Sequence, residues 1–262
     1  MSLTSKSPSE TYKDLLHMNN SNNGVDGTLR TVTSGQGDAS PLSISTNKIL
    51  IKPSTNTTTT LDVHNAAGTS LLSVDSTNTR VLGPNNVYMN TQYAYFGVAD
   101  SLSTNWSANT HYPLPYTSNS QTSSVEDNMT LGTDSDPATT FTTADGSSTD
   151  ASLIVPKMWL LPDAITIDAV HSLEGGDNAT GATTRMHLMS YTFNSGSTSA
   201  LTGGTLLAHN SDVTNAGSEQ AYKSVWTIDS STVAANKVIL ATFLTTDVTG
   251  DYSASIVIKY HL

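Results

Sequence analysis

Alternating apolar and polar residues dominate the chain after position 151. The clearest run places five apolar residues on one face of a strand: Tyr252, Ala254, Ile256, Ile258 and Tyr260. Other strand-like runs cover residues 153–155, 158–161, 165–167, 185–193, 221–228 and 237–245. A period of two is typical of half-buried strands. Seven or more such strands, with no helical period between them, predict an antiparallel β-sandwich with a jelly-roll-like topology.

Shorter apolar runs recur in the preceding part of the chain. Ile51, Leu61, Leu71 and Val81 are spaced by ten residues, and polar turns separate the last three runs. A sheet of such short strands buries too little apolar area to offset the entropy that is lost when it orders. We therefore expect these four residues to form the core of a trimer in which identical chains complete the repeat. The alternative is that the segment packs against the C-terminal domain.

One short helix is predicted near the N-terminus. Residues 7–10 read S-P-S-E, which is the form of a capping box with proline at the first helical position. Tyr12, Leu15 and Leu16 follow at helical spacing, so a helix over residues 7–18 presents one apolar stripe. Such a short helix is marginal in water without a partner. The stripe either packs on the chain's own sheet or anchors the subunit to a larger assembly.

These patterns divide the chain into three predicted parts. Residues 1–48 form the short helix and an extended arm, residues 49–90 form a small β-repeat shaft, and residues 91–262 form the C-terminal antiparallel β-sandwich. The predicted fold class is therefore all-β, with a single short helix at the N-terminus.

Aromatic residues are concentrated between the repeats and the long C-terminal strands, and they include Tyr95, Trp106 and Tyr112. Tyrosine and tryptophan rings pack on the apolar faces of ligands while their polar tips form hydrogen bonds. One interpretation is that these three residues form a receptor-binding surface. The other interpretation is that the aromatic segment is buried in a trimer interface.

The composition excludes several partners. The formal net charge is −11, with 11 Lys and Arg against 22 Asp and Glu, and such a surface repels nucleic acid and anionic lipid. The chain has no cysteine, so disulfides, cysteine-ligated zinc and thiol catalysis are excluded. No apolar run is long enough to span a bilayer or to act as a signal peptide. We therefore expect neither membrane insertion nor nucleic-acid binding, and any export would use another route, for instance release by cell lysis.

Recognised catalytic motifs are absent from the sequence. It contains no G-x-S-x-G, no phosphate-binding G-K-[ST] and no G-x-G-x-x-G after a strand. A polysaccharide hydrolase requires a pair of carboxylates in a groove. Asp163, Asp168 and Glu174 are the candidates for such a pair, but their separation is not readable from the sequence. We therefore predict no catalytic residue, no cofactor and no enzymatic activity.

Metal-binding patterns are also weak. The seven histidines are scattered, and none has the spacing of a zinc site. Asp134, Asp136 and Asp145 offer oxygen ligands for calcium, but Pro137 interrupts the pattern of a calcium loop. The alternative is a solvated acidic loop, and no metal ligand is predicted.

Several N-terminal runs carry a resemblance to a known class of proteins. Residues 12–20 (YKDLLHMNN), 24–32 (GVDGTLRTV) and 40–45 (SPLSIS) are similar to the opening of virion structural proteins of tailed bacteriophages. Residues 60–65 (TLDVHN), 68–75 (GTSLLSVD) and 78–83 (NTRVLG) resemble the shaft repeats of phage tail fibres. The resemblance covers roughly the first third of the chain.

The resemblance implies a homotrimer that is anchored to the capsid or tail by its N-terminus and displays its C-terminal β-domain. Such a protein assembles with other virion proteins in the host bacterial cytoplasm and lies on the outer surface of the virion. The shortness of the repeat region favours a stubby fibre, a head decoration or a tail-associated adaptor over a long fibre. Two alternatives remain: an adhesin that binds a glycan or protein of the host surface, and a polysaccharide hydrolase.

Overall fold

Two compact units, residues 1–89 and residues 90–262, make up the structure. The computed structural model describes residues 13–21, 23–101, 107–116, 130–142, 151–177, 180–198, 201–248 and 250–262. Strands predominate in both units, and every strand pair is antiparallel. The prediction of an all-β fold is therefore confirmed.

The first unit contains two small sheets whose strands pair in chain order. The four-stranded sheet consists of β1 (His17–Met18), β2 (Arg30–Thr33), β3 (Ala39–Ile44) and β4 (Ile49–Ile51). The three-stranded sheet consists of β5 (Leu61–His64), β6 (Ser70–Asp75) and β7 (Arg80–Leu82). Both sheets are meanders, because each strand pairs with its neighbour in sequence.

The predicted N-terminal helix is wrong for the residues that the structure describes. Residues 7–12 lie outside the described ranges, and residues 13–14 form a turn. After residues 15 and 16, which belong to no helix or strand, His17–Met18 forms β1, with Met18 opposite Val32 of β2. An isolated helix of this length is marginal in water, whereas pairing with β2 gives the same backbone groups stable long-range partners.

The second unit contains two larger sheets with a common set of long strands. Its strands are β8 (Gln92–Ser101), β9 (Tyr112–Pro113), β10 (Trp159–Leu160), β11 (Ile165–Asp177), β12 (Thr183–Phe193), β13 (Leu201–His209), β14 (Val213–Thr214), β15 (Glu219–Val225), β16 (Thr227–Ile228), β17 (Thr232–Val233), β18 (Lys237–Thr245) and β19 (Asp251–His261). The seven-stranded sheet has the order β10-β18-β12-β13-β16, with β9 also on β18 and β14 also on β12. The five-stranded sheet has the order β15-β11-β19-β8, with β17 also on β11.

Side chains from both of these sheets meet in one buried core. Phe96 in β8, Val170 in β11 and Ile256 in β19 enter it from the five-stranded sheet. Met186 and Leu188 in β12 enter it from the seven-stranded sheet. Because successive residues of a strand alternate between faces, each sheet contributes every second side chain. The second unit is therefore β-sandwich-like.

A smaller core lies on the outer face of the seven-stranded sheet. Met189 and Tyr191 of β12 contribute to it, together with residues from 131–141 and 153–158. The Tyr191 hydroxyl donates to the carbonyl oxygen of Ala138 at 2.9 Å, and burial raises the pKa of Tyr191. This cover over the sheet was not predicted, since the sequence between positions 119 and 150 is mostly polar.

Two short strands share one edge of β18. β9 pairs with residues 242–243 and β10 pairs with residues 238–239, both in the same direction. The Leu114 N–H continues the first pairing by donating to the carbonyl oxygen of Ala241 at 2.8 Å. The chain therefore leaves this edge after residue 114 and returns to the same path at residue 159.

Helical structure in the described ranges is limited to single turns. These are α1 (Ala151–Ile154) and two 3₁₀ turns (Pro84–Asn86 and Val155–Lys157). Among the helices described, none has the length and apolar character that crossing a bilayer requires.

Candidate functional site

Five aliphatic side chains share one face of the three-stranded sheet, which we name the repeat face: Leu61, Val63, Leu72, Val74 and Val81. Val74 lies opposite Leu61 on one side and opposite Val81 on the other. None of the five is buried, and Val63 and Val81 keep 43% and 42% of their surface exposed. Adjacent cross-strand side chains of this kind gain stability by excluding water from one another and from a covering layer. Among the described residues of the first unit, no layer buries the repeat face.

A buried carboxylate organises the opposite side of this sheet. Asp75 accepts hydrogen bonds from the Asn78 side chain at 2.7 Å and from Nε of Arg80 at 2.8 Å. The Asn78 side chain, its backbone N–H and Arg80 together hold the pKa of Asp75 below its usual range. The Arg80 guanidinium also lies over the ring of Tyr88. Polar contacts therefore fix the hairpin while the repeat face stays uncovered.

The four-stranded sheet has a similar uncovered apolar face. Ile44 lies opposite Ile49, and Leu42 lies opposite Ile51. Ile49 is 72% exposed. Within the described part of the first unit, Val32 and Leu82 are the only hydrophobic residues that are buried. The described residues of the first unit therefore form two amphipathic sheets with almost no hydrophobic core.

The predicted trimer-core residues fall at three different kinds of position. Leu61 and Val81 lie on the repeat face, as the prediction requires. Leu71 lies beside the register shift between β5 and β6, out of phase with Val74, and Ile51 belongs to the other sheet. The ten-residue spacing therefore does not define one face. The period of two within residues 61–63 and 72–74 is the sequence signal that matches the repeat face.

The predicted anchoring residues are partly described. Tyr12 lies outside the described ranges. Leu15 and Leu16 are both exposed, and they precede β1 without forming a helix. The apolar stripe is therefore absent in its predicted form, while anchoring through this exposed leucine pair stays a prediction.

The predicted receptor surface is wrong for one of its three residues. Tyr95 is exposed on the outer face of β8. Tyr112 is only 1% exposed and belongs to the core of the second unit. Its hydroxyl oxygen accepts the Ser107 N–H at 2.8 Å, which satisfies the polar tip inside the fold. Trp106 lies outside the described residues.

The candidate catalytic acids lie in separate environments. Asp163 is exposed, whereas Asp168 lies 2.9 Å from Nδ1 of His261. Glu174 is buried and accepts hydrogen bonds from the side chains of Ser172, Thr184 and Asn210. Asp168 and Glu174 are six positions apart on β11, which corresponds to about 20 Å along an extended strand. Carboxylate pairs that cleave glycosides are separated by roughly 5–9.5 Å, so these two acids do not form such a pair.

The candidate calcium ligands are only partly described. Asp134 and Asp136 are exposed, and Asp145 lies outside the described residues. Among the residues that the structure describes, no three His, Asp or Glu side chains are arranged to hold a metal ion.

Three histidines from separate strands and loops form a cluster on the outer face of the seven-stranded sheet. The ring of His187 lies edge-on to His111, with centroids 4.9 Å apart, and stacks with His209 at 6.3 Å. His187 and His209 are direct cross-strand neighbours on β12 and β13. This cluster has no signal in the sequence, because the three positions are brought together only by strand pairing.

The charged form of His187 is strongly disfavoured. Its side chain is 3% exposed, and Nδ1 has no hydrogen-bond partner in the described structure. Burial, followed by the neighbouring His111, His209 and Arg185, lowers the pKa of His187 to about 3. Asp136 lies 3.5 Å from Nε2, but this carboxylate is 59% exposed, so water screens it. Desolvation therefore outweighs the attraction of nearby carboxylates such as Asp212, and His187 is neutral near pH 7.

The comparisons with known proteins assign no family to the chain. No protein-family model matches it, and no curated protein matches its sequence. The function is therefore inferred from the residues, their geometry and the resemblance of the N-terminal runs.

Proposed function

We propose that this chain is a non-enzymatic structural subunit of a phage particle. In this proposal it forms a trimeric fibre or decoration protein, anchored by its N-terminal region to the capsid or tail, and the second unit faces outward. The observation that carries the proposal is the missing core of the first unit, where only Val32 and Leu82 are buried hydrophobics among the described residues. The resemblance of runs within residues 12–45 and 60–83 to virion proteins is the reason for proposing a phage particle as the assembly.

The exposed aliphatic residues support self-association. Fully burying one Val, Leu or Ile side chain stabilises a protein by roughly 1.5–3 kcal/mol. The repeat face offers five such side chains on one small sheet, and their cross-strand pairing makes them a continuous surface. Three copies related by a threefold axis bring three repeat faces together, so that each covers the other two. The polar network around Asp75 then remains on the outside of the trimer.

The strand order of the second unit supports a display domain of the jelly-roll type. Eight of its strands form two arrays in the orders β8-β19-β11-β15 and β9-β18-β12-β13. We infer a jelly roll from this order, in which the chain alternates between two four-stranded antiparallel sheets. Capsid and lectin domains of viruses use this architecture, which holds loops on a rigid scaffold.

The mass of the purified protein in solution tests the proposal. Light scattering is expected to give about three times 27.6 kDa for the intact chain. The substitution Val74→Asp places a charge at the centre of the repeat face and is expected to give monomers. The matched control is Val155→Asp, which changes an exposed valine of the second unit and should leave the trimer intact.

Two results contradict the proposal. A monomeric intact chain removes the need for a shared core, and a Val74→Asp protein that remains trimeric excludes the repeat face as the interface. Antibody labelling of phage particles purified from a lysate then tests the location. Particles without label would contradict the proposed place on the virion.

A further inference from the structure

A polar cleft of about 430 Å³ opens in the second unit where β12 begins and β18 ends. Thr183 and Arg185 line it from β12, and Leu244 lines it from β18. Asp212 and the loop of residues 133–135 form its other walls. Sites for small molecules in proteins span roughly 300–1,000 Å³, so the cleft has room for one or two sugar rings.

The loop of residues 133–135 is held in place by a histidine beneath it. His111 exchanges backbone hydrogen bonds with both residues that precede this loop: its N–H donates to Gly132 at 2.9 Å, and its carbonyl oxygen accepts from Leu131 at 2.7 Å. Nε2 of the same ring lies 3.0 Å from the carbonyl oxygen of Asp134. Since a fixed loop loses little entropy when a ligand binds, this arrangement preorganises the cleft.

Several polar groups around the cleft have no protein partner. In the ranges that the structure describes, the side chains of Asn109, Thr133, Asp134 and Ser135 form no hydrogen bond or ion pair. Together they present an amide, two hydroxyls and a carboxylate, which supply both donors and acceptors. Folding therefore leaves these groups available to a ligand.

A preformed ion pair completes the wall. Arg185 donates from Nε and Nη2 to the two carboxylate oxygens of Asp212, at 2.6 Å and 2.7 Å. This bidentate contact holds the pKa of Asp212 below its usual range and fixes both side chains in one geometry. Because Asp212 already neutralises Arg185, the cleft carries net negative charge from Asp134.

We propose that this cleft binds a neutral glycan through one or two hexose units. Vicinal hydroxyls of a sugar can donate to the carboxylates of Asp134 and Asp212 and accept from the Asn109 amide and the free Nη1 of Arg185. Leu244 borders the cleft but is only 4% exposed, so the contacts to a sugar are mainly polar. An anionic ligand meets two carboxylates against one guanidinium that is already paired, so the charge balance disfavours phosphate and acidic sugars. The site is independent of the proposed trimer, since every residue belongs to the second unit.

Ligand-observed saturation-transfer NMR with the intact protein tests the site. The probes are the methyl glycosides of glucose, galactose, mannose and N-acetylglucosamine, with methyl N-acetylneuraminide and inorganic phosphate as anionic comparisons. The variants are Asp134→Asn and Arg185→Met. The matched control is Asp163→Asn, which changes an exposed aspartate outside the cleft. Circular dichroism of each variant verifies that it is folded.

The expected result is saturation transfer to at least one neutral glycoside. Both cleft variants should weaken that binding by about tenfold, which corresponds to losing one hydrogen bond to a charged group. The control should bind as the original protein does. Three results overturn the proposal: no transfer to any neutral glycoside, transfer that survives both cleft substitutions, or stronger binding of the neuraminide or phosphate than of every neutral probe.

Discussion

Replacing His187 with glutamine should remove a large part of the acid sensitivity of the second unit. The neutral imidazole is buried between two other histidines, and its pKa is about 3. In the unfolded chain a histidine titrates near pH 6.5. The unfolded state therefore binds a proton at this position over a pH range in which the folded state does not, and acid shifts the equilibrium toward unfolding.

The sign and size of this effect follow from linkage. The contribution of His187 to the free energy of unfolding has its full value above about pH 6.5. It decreases as the pH drops below that value, and the decrease ends near pH 3. Between pH 7 and pH 5 the His187 contribution lowers the free energy of unfolding by about 2 kcal/mol. Burial also lowers the pKa of His111, so its contribution has the same sign. The lowered pKa of Asp212 matters only below about pH 4, outside this window.

Urea denaturation followed by tryptophan fluorescence measures the effect, because Trp159 and Trp226 both lie in the core of the second unit. For the original protein the urea midpoint should drop by about 1 M or more between pH 7 and pH 5. The His187→Gln protein should show a drop in unfolding free energy that is smaller by about 2 kcal/mol. His17→Gln, which changes an exposed histidine of the first unit, is the control and should keep the original pH dependence.

The reasoning would be refuted by a His187→Gln protein whose unfolding free energy falls between pH 7 and pH 5 as steeply as that of the original protein. The titration of His64 does not account for the expected difference in pH dependence between the two proteins. Its hydrogen bond with Asp62 raises its pKa, so its contribution grows as the pH falls toward its unfolded value, opposite in sign to that of His187. His64 is also exposed and belongs to the first unit, which the two tryptophans do not report.

Three further predictions concern separate parts of the molecule. Deleting residues 1–20 should leave a folded second unit, seen as an unchanged tryptophan unfolding curve, that no longer enters phage particles; normal incorporation would exclude the N-terminal anchor. Gly97→Ala should lower the free energy of unfolding, measured by urea denaturation, by about 1–3 kcal/mol, because the new methyl group would lie 2.7 Å from the Ala254 carbonyl oxygen. Gly175→Ala is the control and should lower it less, because its methyl group meets only a movable serine hydroxyl. Glu174→Ala should destabilise the protein by about 3 kcal/mol, since three buried donors lose their acceptor; a loss below about 0.5 kcal/mol would contradict this.

Local alternation predicted the second unit well. The residues of the last strand that were expected on one apolar face, from Tyr252 to Tyr260 at every second position, are all buried in the structure. This succeeds because β19 lies inside its sheet, with β11 on one side and β8 on the other, so its two faces have constant environments. Where one face of a strand is buried and the other is not, the alternation of apolar and polar residues predicts directly which side chains are buried.

The errors arose where distant residues decide the outcome. Residues 13–18 have a helical pattern, but β2 offers His17–Met18 a strand partner that lies 14 to 16 positions away in sequence. The ten-residue spacing of Ile51 and Leu61 hides a boundary between two sheets. Neither the histidine cluster nor the sugar-sized cleft has a linear signal, because pairing of β12 with its neighbours creates both.

The segment between β9 and β10 interrupts the edge strand that pairs with β18, and this makes it a suitable position for insertions. β9 and β10 follow one path along β18, opposite residues 242–243 and 238–239, although 45 residues separate their last and first positions. Described residues of the segment between them, such as Leu131 and Phe141, contribute to the smaller core on the outer face of the seven-stranded sheet. We expect foreign peptides to be tolerated between β9 and β10, because pairing with β18 holds the chain on both sides of this segment.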